Sequence, residues 1–443
     1  MTSLSGPGGN EIVAILEGAK APTTVPRMPK RKSPSGGGWR DGWQRDDRGQ
    51  PISNLANAMH ALRNDSALAG MLAFDLMQGA VILNHPVPSP AEPDALPDDD
   101  FRPRTLCDND LSRLQEYLQV RGLMRLSRDT THQAAEARAN EGACAFHPVR
   151  QFLEDLTWDG VPRLGTWLHT YLGSDDGPYQ SEIGAMFLIA SVARVFAPGC
   201  KADYMVVLEG EQGAMKSTVC RILGGHWFSD NMPPVTAGKD VSLHLRGKWF
   251  IEIPELSAMS RAEDEELKAF ITRPMERFRP PYGRTEVEMP RQCVFMGTTN
   301  KSDYLRDETG GRRYWPVKVG RIDVDALQRD REQLFAEALH LYRAGRRWWP
   351  DADFERKYIK PQQEERLRGD AWEDSISEWL TGKSRVTVGN VASYALGIEI
   401  GKVSHADQLR IIACLARLGW IRGTRTGGGR WYVRHTDTPH VTG

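Results

Sequence analysis

Residues 203–225 read DYMVVLEGEQGAMKSTVCRILGG, and this stretch decides the fold. A short apolar run (204–208) feeds a glycine-framed turn (210–213), then Lys216, Ser217 and Thr218, then a helical pattern at 219–223. A phosphate-binding loop needs these parts in this order. The strand ends abruptly, small residues let backbone N–H groups face an anion, the lysine reaches the β- and γ-phosphates, and the first hydroxyl takes a place on Mg²⁺. The predicted nucleotide contacts are therefore Gly210, Glu211, Gln212, Gly213, Ala214, Met215, Lys216, Ser217 and Thr218. The strict pattern G-x-x-x-x-G-K-[ST] has glycine before the lysine, and Met215 stands there. If that position takes a positive φ, methionine costs about 1–2 kcal/mol relative to glycine.

Downstream the chain continues as an α/β nucleotide-binding core should. GKWFIEIPEL (247–256) is an apolar strand ending in acids. A carboxylate at a strand's C-terminal edge is what metal binding and water polarisation require. Glu252 and Glu255 would face opposite sides of an ideal strand, but Pro254 breaks the ladder and frees Glu255 to turn into the site. Glu255 is read as orienting the attacking water and Glu252 as a metal or supporting acid. QCVFMGTTN (292–300) is a buried strand ending at Asn300, placed to hold water or the γ-phosphate. TGGRRYWPV then brings Arg312 and Arg313 after a glycine turn, suited to stabilising charge on a neighbour's nucleotide.

Between these strands lies TRPMERFRPPYGRTEVEMPRQ, with Arg273, Arg277, Arg279, Arg284 and Arg291 interleaved with Phe278 and Tyr282. Arginines on a projecting hairpin with an aromatic near its tip suit single-stranded nucleic acid, with Arg277, Arg279, Tyr282 and Arg284 as contacts. A solvated hairpin or a subunit contact is the other reading.

The rest of the 443-residue chain sets bounds. Hydrophobic residues make up 40 % and charged residues 26 %, as in ordinary globular proteins, and the length admits two or three domains. A net charge of −1 means that any nucleic-acid contact must use local basic patches. Six scattered cysteines without a C-x-x-C pair argue against a zinc site or disulfide scaffold, and for a reducing cytoplasm. No 18-residue apolar run predicts a membrane span, and the N-terminus lacks a secretory pattern.

Residues 1–50 read as a disordered basic tail, and 51–146 as a small mixed α+β region with a helix over 54–63 capped by Ser53. That region offers no catalytic constellation. Residues 147–200 are a helical lead-in, where Arg194 is either a phosphate sensor or a helix-surface arginine. The core is placed at 147–350 and a helical linker at 351–371. Residues 372–443 suggest a winged helix: the helix at 406–418 would enter a DNA groove, and a hairpin bearing Arg422, Arg425 and Arg430 would contact phosphates.

The ordered series GEQGAMKST, KWFIEIPELSAM, LKAFITRPMERFRPPYGR, CVFMGTTN and TGGRRYWPV resembles the virulence-associated protein E family. These are P-loop proteins of phages and genomic islands, related to the superfamily-three helicases of the AAA+ class. The resemblance covers roughly residues 147–350. It implies a P-loop core in which Lys216 and Ser217 form Walker A, Glu252 and Glu255 Walker B, Asn300 sensor 1, and Arg312 or Arg313 the arginine finger. It further implies ATP and Mg²⁺ as ligands, with Ser217 and Glu252 on the metal. The expected protein is an ATP-dependent, DNA-binding motor or replication initiator of a mobile element. It would work as a homo-oligomeric ring on single-stranded or origin DNA, with priming left to a separate protein. The alternative is a nucleotide-gated DNA-binding regulator with little turnover, for which Met215 speaks. A small-molecule kinase is disfavoured by the asparagine strand, the arginine pair and the C-terminal region.

Overall fold

The computed structural model describes residues 38–89, 101–279, 285–305, 311–367, 371–426 and 429–434. The chain divides into two compact units. One comprises Met1–Ser302 and Thr309–Glu364, the other Asp303–Glu308 and Glu365–Gly443.

In the first unit, Leu55–Asn64 (α1) packs beside a small sheet. Leu72–Asp75 (β1) and Ala80–Leu83 (β2) form an antiparallel hairpin. Asp75 closes its turn by accepting the Met77 and Gln78 N–H groups at 2.8 and 2.9 Å. Arg104–Thr105 (β3), Asp108–Val120 (α2), Arg128–Ala139 (α3) and Ala145–Phe146 (β4) complete this layer, with strand order β3-β2-β1-β4. Two expectations shift. The cap of α1 is Asn54, whose side chain accepts the Asn57 N–H at 2.9 Å, while Ser53 accepts the Arg125 N–H at 3.0 Å instead. Residues 38–50 also leave the tail and join this layer: Trp43 is buried in its core beside Leu62, Leu114 and Tyr117.

The helical lead-in follows as Pro148–Asp155 (α4), Trp167–Leu172 (α5) and Pro178–Phe196 (α6). α6 is apolar on nearly every side and is accordingly enclosed, with Ile183, Phe187, Leu188 and Val192 fully buried. It leads into Met205–Glu209 (β5) and Lys216–Gly224 (α7). Phe228–Ser229 (β6), Lys239–His244 (α8), Phe250–Ile253 (β7) and Arg261–Ile271 (α9) come next. The hairpin Met275–Phe278 (β8) and Val287–Pro290 (β9) precedes Val294–Thr299 (β10), Tyr314–Lys318 (β11) and Val324–Arg343 (α10).

Among the described residues, β11-β5-β10-β7-β6 is a sheet in which every neighbouring pair is parallel. A parallel sheet has both faces covered, so its strands are continuous apolar runs rather than alternating ones. β5, β7 and β10 are buried at every position, against a core that includes Trp249, Phe250 and Phe335. Parallel pairing also puts all the carboxyl ends at one edge, and β10 lies between β5 and β7. The loops that leave these three strands therefore meet.

Residues 352–364 continue as helix and stay with the first unit, where Gln363 donates to the Tyr314 carbonyl at 2.9 Å. Of the stretch 351–371 read as a linker, residues up to Glu364 group with the first unit. The second unit holds Glu373–Leu380 (α11), Arg385–Thr387 (β12), His405–Arg417 (α12), Trp420–Thr426 (β13) and Gly429–Arg434 (β14). Its antiparallel sheet runs β12-β14-β13, and Ile376, Val386, Ile411, Leu415, Trp420 and Tyr432 close its core.

Candidate functional site

β5 ends at Glu209 and the chain turns at once. A Cβ on Gly210 would sit 2.8 Å from the Val319 side chain, so the loop cannot leave the strand here with a larger residue. Gly213 has φ 86°. Met215 has φ 64° and ψ 19°, the left-handed conformation that costs a methionine about 1–2 kcal/mol relative to glycine. Its side chain is exposed. α7 then opens with Lys216, so the unbonded N–H groups of its first turn follow the loop directly, the kind of helix start that favours an anion.

Lys216 is 7 % exposed and fully engaged. Its Nζ donates to the Gly210 and Glu211 carbonyls at 2.8 and 2.7 Å, and to Asn300 Oδ1 at 3.0 Å. Burial pushes its pKa down, opposed by the charges of Glu255 and Glu252.

Across the sheet, β7 holds Glu252 in the interior at 1 % exposure. Ser217 Oγ donates to Glu252 Oε1 at 2.6 Å and Thr298 Oγ1 donates to the same oxygen at 2.7 Å. Oε2 is buried without a hydrogen-bond partner. A buried carboxylate oxygen of this kind is costly unless something pairs with it. Beside a serine hydroxyl it supplies the hard oxygen donors that Mg²⁺ takes, so the residues fit that ion.

Pro254 ends β7 and Glu255 turns to φ 52°, as the proline suggested. Asn300 follows β10 and joins the two sides: its Oδ1 accepts from Lys216 and its Nδ2 donates to Glu255 Oε1 at 3.4 Å. Lys216, Ser217, Glu252, Glu255 and Asn300 are thus brought together.

Arg312 and Arg313 are not part of that cluster. They sit in the turn Gly311–Arg313 immediately before β11, whose first residue, Tyr314, pairs with Met205 at the start of β5. The glycine-framed loop leaves the other end of β5, a strand of about 16 Å at 3.3 Å per residue. The pair lies at the opposite edge of the sheet from the loop of its own chain.

Arg277 is exposed on β8 and ion-paired with Glu288 of β9, and Arg279 is exposed just beyond β8. Tyr282 and Arg284 lie outside the described residues. Arg291, read with the basic stretch, is a buried structural residue instead. It pairs with Glu276, donates to the Phe270 and Ile271 carbonyls at 2.5 and 3.2 Å, and lies over the Phe270 and Phe295 rings. Its fork of donors closes the C-terminal end of α9. Arg194 is likewise neither a surface arginine nor a neighbour of the loop. It is 1 % exposed, donates to the Arg291 and Ala202 carbonyls at 3.4 Å, and its Nε has no partner. On the second unit, Arg422 and Arg430 are exposed, and Arg425 stands opposite Arg430 in register.

Two contributors escape the motif reading. Thr298 anchors Glu252, and the small polar end of QCVFMGTTN was its only signal. Arg331, buried on α10, donates to the Leu223 carbonyl at 3.2 and 3.0 Å, so it caps the far end of α7; burial pushes its pKa down to about 10. No sequence pattern marked it.

Among curated proteins nothing matches this chain. The C-terminal region of NrS-1, in its apo structure, aligns at 12 % identity with TM-score 0.42, over 82 % of this chain and 95 % of that one. A point mutant of Thermotoga maritima RuvB aligns at 14 % identity with TM-score 0.23, over 58 % of this chain and 92 % of that one. Both likenesses are distant, and the reading of the site rests on its own residues. Residues 153–368 match the profile of the virulence-associated protein E-like domain. That span contains the loop, both glutamates, Asn300 and the arginine pair, and the chain therefore carries a virulence-associated protein E-like domain.

Proposed function

We propose that the protein is an ATP-dependent, DNA-binding motor or replication initiator of a phage or mobile element, resembling superfamily-three helicases. The observation that carries this is the convergence of Lys216, Ser217, Glu252, Glu255 and Asn300 at the carboxyl edge of one parallel sheet. On nucleotide binding Lys216 would exchange its loop carbonyls for the β- and γ-phosphates. Ser217 and Glu252 would hold Mg²⁺, which when bound offsets the charge on the phosphate oxygens. Glu255, exposed beside Asn300, would orient the attacking water. Arg312 or Arg313, remote from the loop of its own chain, would act on a neighbour's nucleotide, which favours a ring of subunits.

DNA contacts would fall to Arg277 and Arg279 of the hairpin, and to Tyr282 and Arg284, which follow in sequence. In the second unit we read α11, α12 and the β12-β14-β13 sheet as a winged helix, with Arg422, Arg425 and Arg430 toward phosphates. Priming is left to a separate protein, and the reduced cysteines suit a cytoplasmic location. No helix among the described residues is long and apolar enough to cross a membrane.

Met215 and the self-bonded lysine favour a second reading, a nucleotide-gated DNA-binding regulator with little turnover. ATP hydrolysis by the purified protein, with and without single-stranded DNA, separates the two. The motor reading expects turnover that DNA stimulates, and that Lys216→Ala and Glu255→Gln each reduce by at least about a hundredfold. Nucleotide binding without hydrolysis, even with DNA and at high protein concentration, would leave the regulator.

A further inference from the structure

At the amino edge of the parallel sheet, away from the phosphate loop, a cavity of about 620 Å³ opens among Lys201, Tyr204, Arg312, Arg313, Trp348 and Trp349. Tyr204 directly precedes β5 and Arg313 directly precedes β11, and the first residues of those strands are paired, so the two stand side by side. The Tyr204 ring stacks on Trp315 with centroids 3.8 Å apart. Its hydroxyl is buried without a partner, and so is Arg313 Nε. Burial raises the Tyr204 pKa well above normal, so the phenol remains a donor.

Trp348 is fixed by its indole N–H, which donates to the Lys201 carbonyl at 2.8 Å. Trp349 stands edge-on to it, with centroids 4.9 Å apart, and is 44 % exposed. Lys201, Arg312 and Arg313 outnumber the acids of the lining, Asp203 and Glu355.

Buried donors without partners are uncommon because they cost the full desolvation of the group. Here two of them adjoin one cavity with an aromatic wall and a surplus of positive charge. A simple anion would leave the tryptophans unused, and an apolar ligand would leave the guanidinium unpaired. We propose that this cleft binds a nucleoside phosphate, with its base against Trp348 and Trp349 and its phosphate toward Arg312, Arg313 and Lys201. Its volume suits such a ligand, and aromatic stacking accepts any base. The assignment goes beyond the phosphate-loop reading, since one arginine stabilising charge on a neighbour's nucleotide makes no use of Tyr204, Trp348 or Trp349. The source is either a free nucleotide or one nucleotide of a single strand.

The test uses the full chain with Lys216→Ala, which disables the loop site. A fluorescent ATP analogue and a fluorescein-labelled oligothymidine are titrated separately, then again with Trp349→Ala or Arg312→Ala added. Both added positions are exposed, and a thermal melt checks that each variant is folded. Each substitution is expected to weaken at least one probe by about tenfold, the size of one lost stacking or phosphate contact. A response of the ATP analogue assigns the cleft to free nucleotide; a response of the oligothymidine alone assigns it to a strand; either supports the proposal. The proposal is overturned if neither probe binds, or if either substitution leaves both probes bound as before. If Lys216→Ala leaves ATP affinity unchanged from the wild type, the loop reading fails, while the effects of Trp349→Ala and Arg312→Ala still decide the cleft.

Discussion

At the carboxyl edge of the parallel sheet stand Glu209, Glu252 and Glu255, with Lys216 among them; at the amino edge stand Arg194, Arg291, Arg312 and Arg313. The two edges also differ in how their polar groups are used. At the carboxyl edge lysine, serine, threonine, asparagine and the glutamates Glu252 and Glu255 bond to one another, and one Glu252 oxygen is left over. At the amino edge Arg194, Tyr204, Arg313 and Trp315 each keep a buried polar atom without a partner. The difference teaches where to look for ligands. The groups at the carboxyl edge are of the kind that suit one small hard ion and a phosphate, whereas those at the amino edge suit something larger.

The largest effect should come from Arg291, because its pairing with Glu276 is what makes a buried guanidinium tolerable at the amino edge. Arg291→Ala leaves Glu276 buried and charged. It is expected to cost about 3–5 kcal/mol, read as a lower denaturant midpoint. A loss below about 1 kcal/mol would mean that this edge is held by its apolar packing alone. Glu252→Gln probes the other edge. The amide keeps an acceptor for Ser217 and Thr298, so thermal stability should change little while Mg²⁺-dependent ATP hydrolysis falls by about a hundredfold or more. Hydrolysis that survives would move the metal role to another carboxylate. The smallest effect is at Met215. Met215→Gly removes about 1–2 kcal/mol of left-handed strain and gives back part of it as backbone entropy, for a net gain near 1 kcal/mol in thermal stability. A rise in turnover alongside it would identify the methionine as a brake.

The carboxyl edge was legible because its signals are local. The loop is a contiguous motif, Pro254 announced the break that releases Glu255, and Asn300 ends a run too apolar to be anything but a buried strand. The amino edge was not, because it is assembled from starts of strands and from residues far apart in sequence. Arg194, read as a phosphate sensor or a helix-surface arginine, and Arg291, read with the basic stretch, are both buried, and the carbonyls they bond are partners that no sequence pattern displays. One clue was available: α6 from Ile183 onward is so apolar that a charge within that part is enclosed. Tyr204, Trp348 and Trp349 came together only through folding. The helix cap at Asn54 rather than Ser53 is a one-residue choice between two residues of equal capping ability, and Ser53 was taken by the Arg125 N–H.

The flanks of the sheet have a consequence for the chain's behaviour during synthesis. On one side it ends in β6, which is two residues long; on the other it ends in β11, which carries Pro316 at its centre. A proline has no N–H to give, and a two-residue strand offers almost no ladder, so neither border makes a good template for a second chain. A sheet this apolar would otherwise invite β-aggregation at a crowded ribosome. Its termination protects the newly made protein, and it restricts any association between copies to side-chain surfaces.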